Sequence, residues 1–242
     1  MKHICILLIA TATLALGACG APDMVGTAAD PNPETTSSPA TTPSDTTLHP
    51  KLADVSAATY SIEPTHAFLN VKVGHGAGIS AYKIAFTRFE GDLDFDPAAP
   101  ENARLTFTIH SADVETNYPG DYKAGHADSQ WQSWNEDVAR DAKWLNADLH
   151  PEITFVSTAI ERTGELTGKV TGDLTLLGVT QPVTLDVTYN GVANPPWFGG
   201  RDVIGFDAST QLNRSEFGMG AYIPNISDTV EVNFSGEFLE NE

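Results

Sequence analysis

The chain has 242 residues, 32 of them Asp or Glu against 13 Lys or Arg, for a formal net charge of −19. So acidic a protein repels phosphate backbones and anionic lipid surfaces, which argues against nucleic acid as a partner. Its two cysteines, Cys5 and Cys19, stand near the start, so the remainder has no disulfide and no Cys-ligated metal and depends on an apolar core.

Met1-Lys2-His3 is a short basic start, and residues 4–16 are an apolar run too short to span a bilayer. Small residues follow, as at a secretory cleavage site. Leu16-Gly17-Ala18-Cys19 resembles the bacterial lipoprotein box, in which cleavage precedes the Cys and its thiol is lipidated. The resemblance makes residues 1–18 a signal peptide and Cys19 the lipidation site. Each buried CH₂ of an acyl anchor contributes about 0.8 kcal/mol, so several chains hold firmly. Gly20, where Asp marks inner-membrane retention in well-studied lipoproteins, leans the expected address to the outer membrane, with the domain in the periplasm. Residues 20–56 are rich in Pro, Thr, Ser, Ala and Asp and cannot offset their ordering entropy. They are expected, as part of a 19–57 tether, to be a disordered leash with an r.m.s. span of roughly 30 Å.

From there a period of two takes over. Tyr60 and Ile62 open a first strand, with Pro64 marking an edge or bulge. Leu69, Val71, Val73 and His75 share one face, and Gly74, Gly76 and Gly78 mark a bend. Phe89, Gly91, Leu93 and Phe95 form the next row, with Asp92, Asp94 and Asp96 on the opposite, watery face. Leu105, Phe107 and Ile109 form a third row, Ile153 and Phe155 a fourth. Residues 166–176, with Leu174 and Leu176, and residues 183–189, with Val183, Leu185 and Val187, are a hairpin; Gly178 and Pro182 lie where the chain should reverse. Ile204 and Phe206 begin a seventh strand running to Leu212, and Val230, Val232 and Phe234 make the eighth. Eight antiparallel strands can close into a barrel, removing exposed edges and leaving room for packed side chains or one small ligand. Periodicity leaves those two contents open.

Residues 117–150 break the pattern. With Asp128-Ser129 as N-cap, Trp131, Trp134, Val138 and Leu145 fall near one face of a helix over 129–146, ended before Pro151. Its aromatics would make a lid at the barrel mouth; otherwise the helix plugs an ordinary core.

Chemistry is sparse. His66, His75 and His110 could converge from different strands, but no compact metal set such as H-E-x-x-H is present, so no metal site is assigned. His75 shares an apolar face and suits a polar ligand group or a backbone carbonyl. There is no G-x-S-x-G elbow and no Cys nucleophile after processing, so no catalytic residue is assigned and the chain is read as no enzyme. Arg88, Arg140, Arg201 and Arg214 could meet a phosphate head group or merely pair at the surface.

Several stretches together resemble the YceI-like family of bacterial envelope lipid-binding proteins: TYSIEPTHAFLNVKVGHG (59–76), FEGDLDFDP (89–97), HPEITFVST (150–158), GDLTLLGVTQPV (172–183), LNRSEFGM (212–219) and SDTVEVNF (227–234). They occur in the family's order. The helical segment matches loosely, at Glu136, Arg140, Trp144, Leu145 and Pro151, with Ala139 where the family has Leu. It is longer than usual and adds Tyr118, Tyr122, Trp131 and Trp134. The resemblance implies an all-β, eight-stranded antiparallel lipocalin-like barrel over 58–242, with a helical segment between strands three and four. It also implies a bound isoprenoid-like or other long-chain lipid of quinone, polyprenyl or fatty-amide type, sequestered or transported. The expected ligand contacts are then Leu69, Val71, Val73, Phe89, Leu93, Leu105, Phe107, Ile109, Phe155, Leu174, Leu176, Leu185 and Phe206 from the inward rows, with His75, Trp131, Trp134, Trp144 and Arg214. The expected partners are that lipid and, through Cys19, the membrane; no cofactor beyond the lipid is expected, and homodimer formation is open. The alternative is an envelope stress or interaction module with a filled barrel.

Overall fold

The computed structural model describes residues 51–242. The expected signal peptide, Cys19 and the tether up to residue 50 lie outside the described residues. The strands are β1 (Ala58–His75), β2 (Ser80–Phe86), β3 (Phe89–Phe95), β4 (Arg104–His110), β5 (Val114–Glu115), β6 (Glu152–Arg162), β7 (Thr167–Leu176), β8 (Val179–Ala193), β9 (Val203–Asn213) and β10 (Ile226–Glu240). Eight of them, β1, β3, β4 and β6 through β10, form a closed antiparallel ring, with β10 pairing back onto β1. This is the barrel that the alternating rows predict.

β2 and β5 are additions to the eight expected strands, although Tyr82, Ile84 and Phe86 alternate with Lys83 and Ala85 in β2. They exist because β1 changes partner along its length. Its first residues, 58–61, pair with β3, and residues 69–75 pair with β2. Between the two stretches its register with β10 shifts, from Ile62 to Ala67, around Pro64, which has no N–H to donate. Beside that shift, a Cβ on Gly91 would lie 2.8 Å from the Ile62 side chain, so glycine lets β1 and β3 approach. β5 meets β2 at only two positions, Ala85–Glu115 and Phe86–Val114. The far side of β2 from Ser80 to Ile84 therefore carries no strand.

The segment from Ser111 to Pro151 lies over this end of the barrel. Val114, Ala139 and Leu145 pack there with Phe86, Ile153, Leu176 and Phe217 as one core group. A second group, Val55, Tyr60, Leu93, Phe95, Tyr189, Ile204 and Phe238, closes the opposite end, the floor of the barrel. Two expectations change. The helix is shorter than 129–146: α1 (Tyr122–Gly125) and α2 (Trp134–Arg140) are separate, and α2 is capped by Ser133, whose side chain accepts from the Glu136 N–H. Ser133 and Glu136 have the S-x-x-E spacing of a helix start, a stronger signal than Asp128-Ser129, and the Glu136 carboxylate reaches back to accept from the Gln132 N–H at 2.7 Å. The folded domain also begins before residue 58. Leu52–Asp54 form a 3₁₀ turn, Val55 is buried, and the Ser56 N–H donates to the Asp202 carboxylate at 2.6 Å.

The β7–β8 hairpin reverses at Leu177-Gly178, both with positive φ, the requirement of a tight type I′ turn. Pro182 is not in that turn. It sits within β8 opposite Asp173, before β8 begins pairing with β9 at Asp186, so its missing N–H breaks no ladder on that side.

Candidate functional site

The inward rows do not meet. They surround a cavity of about 810 Å³ that runs between the two core groups. Its wall takes Leu69, Val71 and Val73 from β1, Leu93 from β3, Leu105, Phe107 and Ile109 from β4, and Phe155 from β6. Leu174 and Leu176 of β7, Leu185 of β8 and Phe206 of β9 complete the girdle, and Trp134 and Trp144 close it at the helical end. These are expected contact residues, brought to one surface by strand alternation and ring closure. The wall also takes Ile84 and Phe86 from β2 and Tyr118 and Val138 from the helical segment. The two β2 residues were legible in the alternation of Tyr82, Ile84 and Phe86. At this end the lining residues Ala81, Tyr82, Lys83, Asn117, Tyr118 and Pro119 are also exposed, so the cavity opens beside the unpaired edge of β2.

Three expected contacts lie elsewhere. His75 is exposed beyond a register shift that follows Val73, and its ring packs on Tyr82 at 5.1 Å. Phe89 stacks on Phe107 at 5.5 Å and meets Phe234 edge-on, so it supports the wall without forming it. Trp131 precedes α2, and its Nε1 donates to Asp141 at 3.1 Å. Arg214 does line the cavity but is not a free cation. It is 3% exposed and donates to the carbonyls of Ser227, Met219, Ala221 and Ile226, clamping the loop between β9 and β10. Burial pushes its guanidinium pKa down, and the guanidinium stands 5.8 Å over the Trp144 ring.

What holds the helical segment over the cavity is a carboxylate that no sequence motif singles out. Asp137, 4% exposed, accepts from Tyr122 Oη at 2.6 Å, Lys143 Nζ at 2.5 Å and Trp144 Nε1 at 3.1 Å. Lys143 also pairs with Asp141 at 2.8 Å. Burial pushes the Asp141 carboxyl up, but bonds from Lys143 and Trp131 outweigh it and hold the pKa at about 2. Burial lowers the Lys143 pKa, and the bonds to Asp137 and Asp141 more than reverse that. The Tyr122 phenol is pushed up, first by burial and then by its bond to Asp137. Trp134 packs edge-on among Tyr118, Tyr122 and His126, with centroids 4.9–5.8 Å apart.

At the floor, Tyr60 is fully buried and donates to the Ser56 carbonyl at 2.8 Å and to Asp202 at 3.3 Å. Tyr189 lines the cavity there, and its phenol is pushed up to about 12 by burial and then by Asp202.

His66, His75 and His110 do not converge. His110 faces Glu90 at 3.4 Å, whereas His66 meets Glu63 at 2.6 Å and Glu237 at 3.6 Å on the outer wall, at the β1 bulge. Glu63, His66 and Glu237 are the one set of three such side chains close enough to share an ion among the described residues. Glu63 is already satisfied by Thr65 and His66. Burial raises its carboxyl pKa, and those bonds outweigh burial to hold it below its ordinary value.

The YceI-like domain description matches residues 60–238. A UPF0312 protein of Pseudomonas putida (strain W619) is 39% identical over 165 residues, covering 67% of this chain and 77% of that protein. A UPF0312 protein of Pseudomonas fluorescens (strain SBW25) is 37% identical over 190 residues, covering 78% and 90%. The solved YceI protein of Campylobacter jejuni is similar at a TM-score of 0.56 and 29% identity, over 68% of this chain and 88% of that one. BcnA of Burkholderia cenocepacia has a TM-score of 0.59 at 23% identity, over 74% and 99%, a likeness of fold alone. With a domain match across the whole barrel and relatives of this identity, the chain belongs to the YceI-like family.

Proposed function

We propose that the barrel binds one long-chain lipid, isoprenoid-like or of comparable length, and sequesters or carries it without catalysing a reaction. The observation that carries this reading is the cavity itself. Its volume of about 810 Å³ falls in the range of pockets that enclose a small molecule, and its wall is built almost wholly of aliphatic and aromatic side chains. A filled core would have left no such space, so the volume argues against a module acting only through its surface. Binding would follow from removal of apolar surface from water, at about 25 cal/mol per Å², with association costs offsetting much of that gain.

The head group is neutral in this reading, a quinone, amide or alcohol. A diphosphate would need several converging cations. The cations on the wall are Lys83, Arg162 and Arg214. Arg162 donates to the Gly164 and Glu165 carbonyls and Arg214 to four others. Lys83 stands at the helical end, whereas Arg162 ends β6 at the floor.

The protein is proposed to work in the bacterial envelope, attached through lipidated Cys19, on the strength of Leu16-Gly17-Ala18-Cys19. Mass spectrometry of an organic extract of the purified protein tests the cargo. A neutral long-chain lipid near one per chain is expected; prenyl diphosphate would overturn the head-group assignment, and a lipid-free extract would overturn the binding reading. Detergent partition of the Cys19→Ala variant into the aqueous phase is the outcome expected of an acyl anchor.

A further inference from the structure

Ten large apolar side chains are exposed, among them Phe68 and Val156 on the outer wall and Trp197 at the floor, and half of the ten gather in one place. Ile79 (91% exposed), Tyr82, Tyr118, Tyr222 and Ile223 all lie around the helical end of the barrel, where the cavity opens. They form one rim that continues into the cavity wall. Tyr82 and Tyr118 line the opening itself. Tyr118 packs edge-on against Trp134 at 5.8 Å, and Tyr222 packs against Trp144 at 5.7 Å. The Gly76 N–H donates to the Asn225 carbonyl at 2.8 Å, tying the turn that carries Ile79 to the loop that carries Tyr222 and Ile223.

Charge is distributed to match. The chain has 32 acidic residues among 242. Yet the three segments that carry the rim, residues 74–86, 116–120 and 217–226, contain no Asp or Glu. Their titratable side chains, apart from tyrosines, are His75 and Lys83. The rim itself carries tyrosine and isoleucine and no carboxylate, while Glu115, Asp121, Glu216 and Asp228 flank its segments, and an apolar, tyrosine-bearing rim set inside an acidic surround presents the chemistry of a membrane–water interface. Amphipathic rings sit at the head-group level, and aliphatic tips reach the acyl boundary.

We propose that this rim docks on the surface of a zwitterionic lipid bilayer, with the cavity opening against the membrane. The inference rests on the lipid-binding reading and adds the route: cargo passes between bilayer and barrel without its chain crossing water. A second copy of the chain is the competing occupant. The rim favours the bilayer, because it offers no carboxylate or paired charge to a second copy, and the acidic residues flanking it would repel those of another chain of net charge −19.

Hydrogen–deuterium exchange of the purified full chain, with and without phosphatidylcholine vesicles, tests the docking. Slowed exchange is expected across 76–83, 116–120 and 218–225 on adding vesicles, and unchanged exchange in the floor loop 194–202, which carries exposed Trp197. The double variant Ile79→Asp/Tyr118→Asp is expected to lose that protection, and Trp197→Asp to keep it. Ile79 and Trp197 project into solvent; Tyr118 is half exposed and also packs on Trp134, so Ile79→Asp alone, which touches no wall residue, is expected to weaken the protection in the same direction. No protection of the rim, equal protection of the floor loop, or protection that persists in the double variant would overturn the proposal. So would rim protection that grows with protein concentration in the absence of vesicles, which would seat a second copy there. Extraction of the vesicle-free protein keeps the two readings apart. Lipid in the extract with an unprotected rim defeats docking alone, whereas a protected rim on lipid-free protein supports docking and defeats the cargo.

Discussion

Trp144 Nε1 donates to Asp137 Oδ1 at 3.1 Å, and that bond orients the indole that closes the cavity at the helical end. The same oxygen accepts from Lys143, and the other carboxylate oxygen accepts from Tyr122. One buried anion thus joins α1, α2 and the turn that follows. Asp137→Ala removes an acceptor from three donors, of which Tyr122 keeps Ser129 and Lys143 keeps Asp141, whereas the Trp144 indole N–H is left unpaired. Losing a buried charged hub costs about 2–3 kcal/mol, a little less than breaking a fully enclosed ion pair because Lys143 keeps Asp141. Differential scanning calorimetry should show Tm lowered by roughly 5–10 °C for a domain of this size.

Asp141 makes the same segment sensitive to acid. Its folded pKa is about 2, below the ordinary 3.8 of the unfolded chain. The stability it contributes is fully present above pH 4 and is lost as pH falls from about 4 to about 2. A tenfold difference in proton affinity between the folded and unfolded chain corresponds to about 1.4 kcal/mol. Screening at a side chain 26% exposed reduces the total to about 1–2 kcal/mol. Urea melts at pH 6 and pH 2.5 should differ more for the wild type than for Asp141→Asn, by about that amount.

The two tryptophans of the helical segment should separate. Trp134 lines the cavity, whereas Trp131 bonds to Asp141 away from it. Trp134→Ala is expected to lower lipid retained through purification severalfold, with Trp131→Ala retaining lipid as the wild type does. Quantified extracts of the three proteins check this.

A hollow barrel and a filled one respond in opposite ways to added volume. Leu174→Trp projects into the cavity from β7. In a packed core such a change costs about 1–3 kcal/mol. Here it should alter the stability of delipidated protein by less than about 1 kcal/mol, while retained lipid falls severalfold. Chemical denaturation and extraction on one sample measure both.

Gly172 is the opposite case, a position with no room. A Cβ there would lie 2.4 Å from Phe155 Cζ and 2.5 Å from the Val156 carbonyl oxygen, where β6 and β7 pair. Gly172→Ala must displace backbone, so a loss of about 2–3 kcal/mol is expected, read as a lower denaturation midpoint with unchanged slope.

Local pattern carried the barrel. Wherever apolar residues alternate with polar ones, as at Leu69, Val71 and Val73 or at Leu105, Phe107 and Ile109, a period of two fixes which face is oily without reference to any partner. Turn chemistry at Gly178 and the bulge at Pro64 were legible for the same reason, because a positive φ or a missing N–H is a property of one residue. β2 was legible by that rule too, in Tyr82, Ile84 and Phe86. The start of α2 was written in Ser133 and Glu136, a signal the tryptophan spacing obscured.

The contents of the barrel and the fate of its polar groups were decided only by tertiary structure. Whether inward rows meet or stand apart depends on ring size and on β1 exchanging β3 for β2, which no single strand encodes. Asp137 reads as an ordinary helix-surface carboxylate until Tyr122, Lys143 and Trp144 fold around it. Arg214 reads as a free cation until the loop between β9 and β10 brings four carbonyls to its guanidinium. A side chain's period belongs to its own segment; its hydrogen-bond partners lie far along the chain and exist only once the ring has closed.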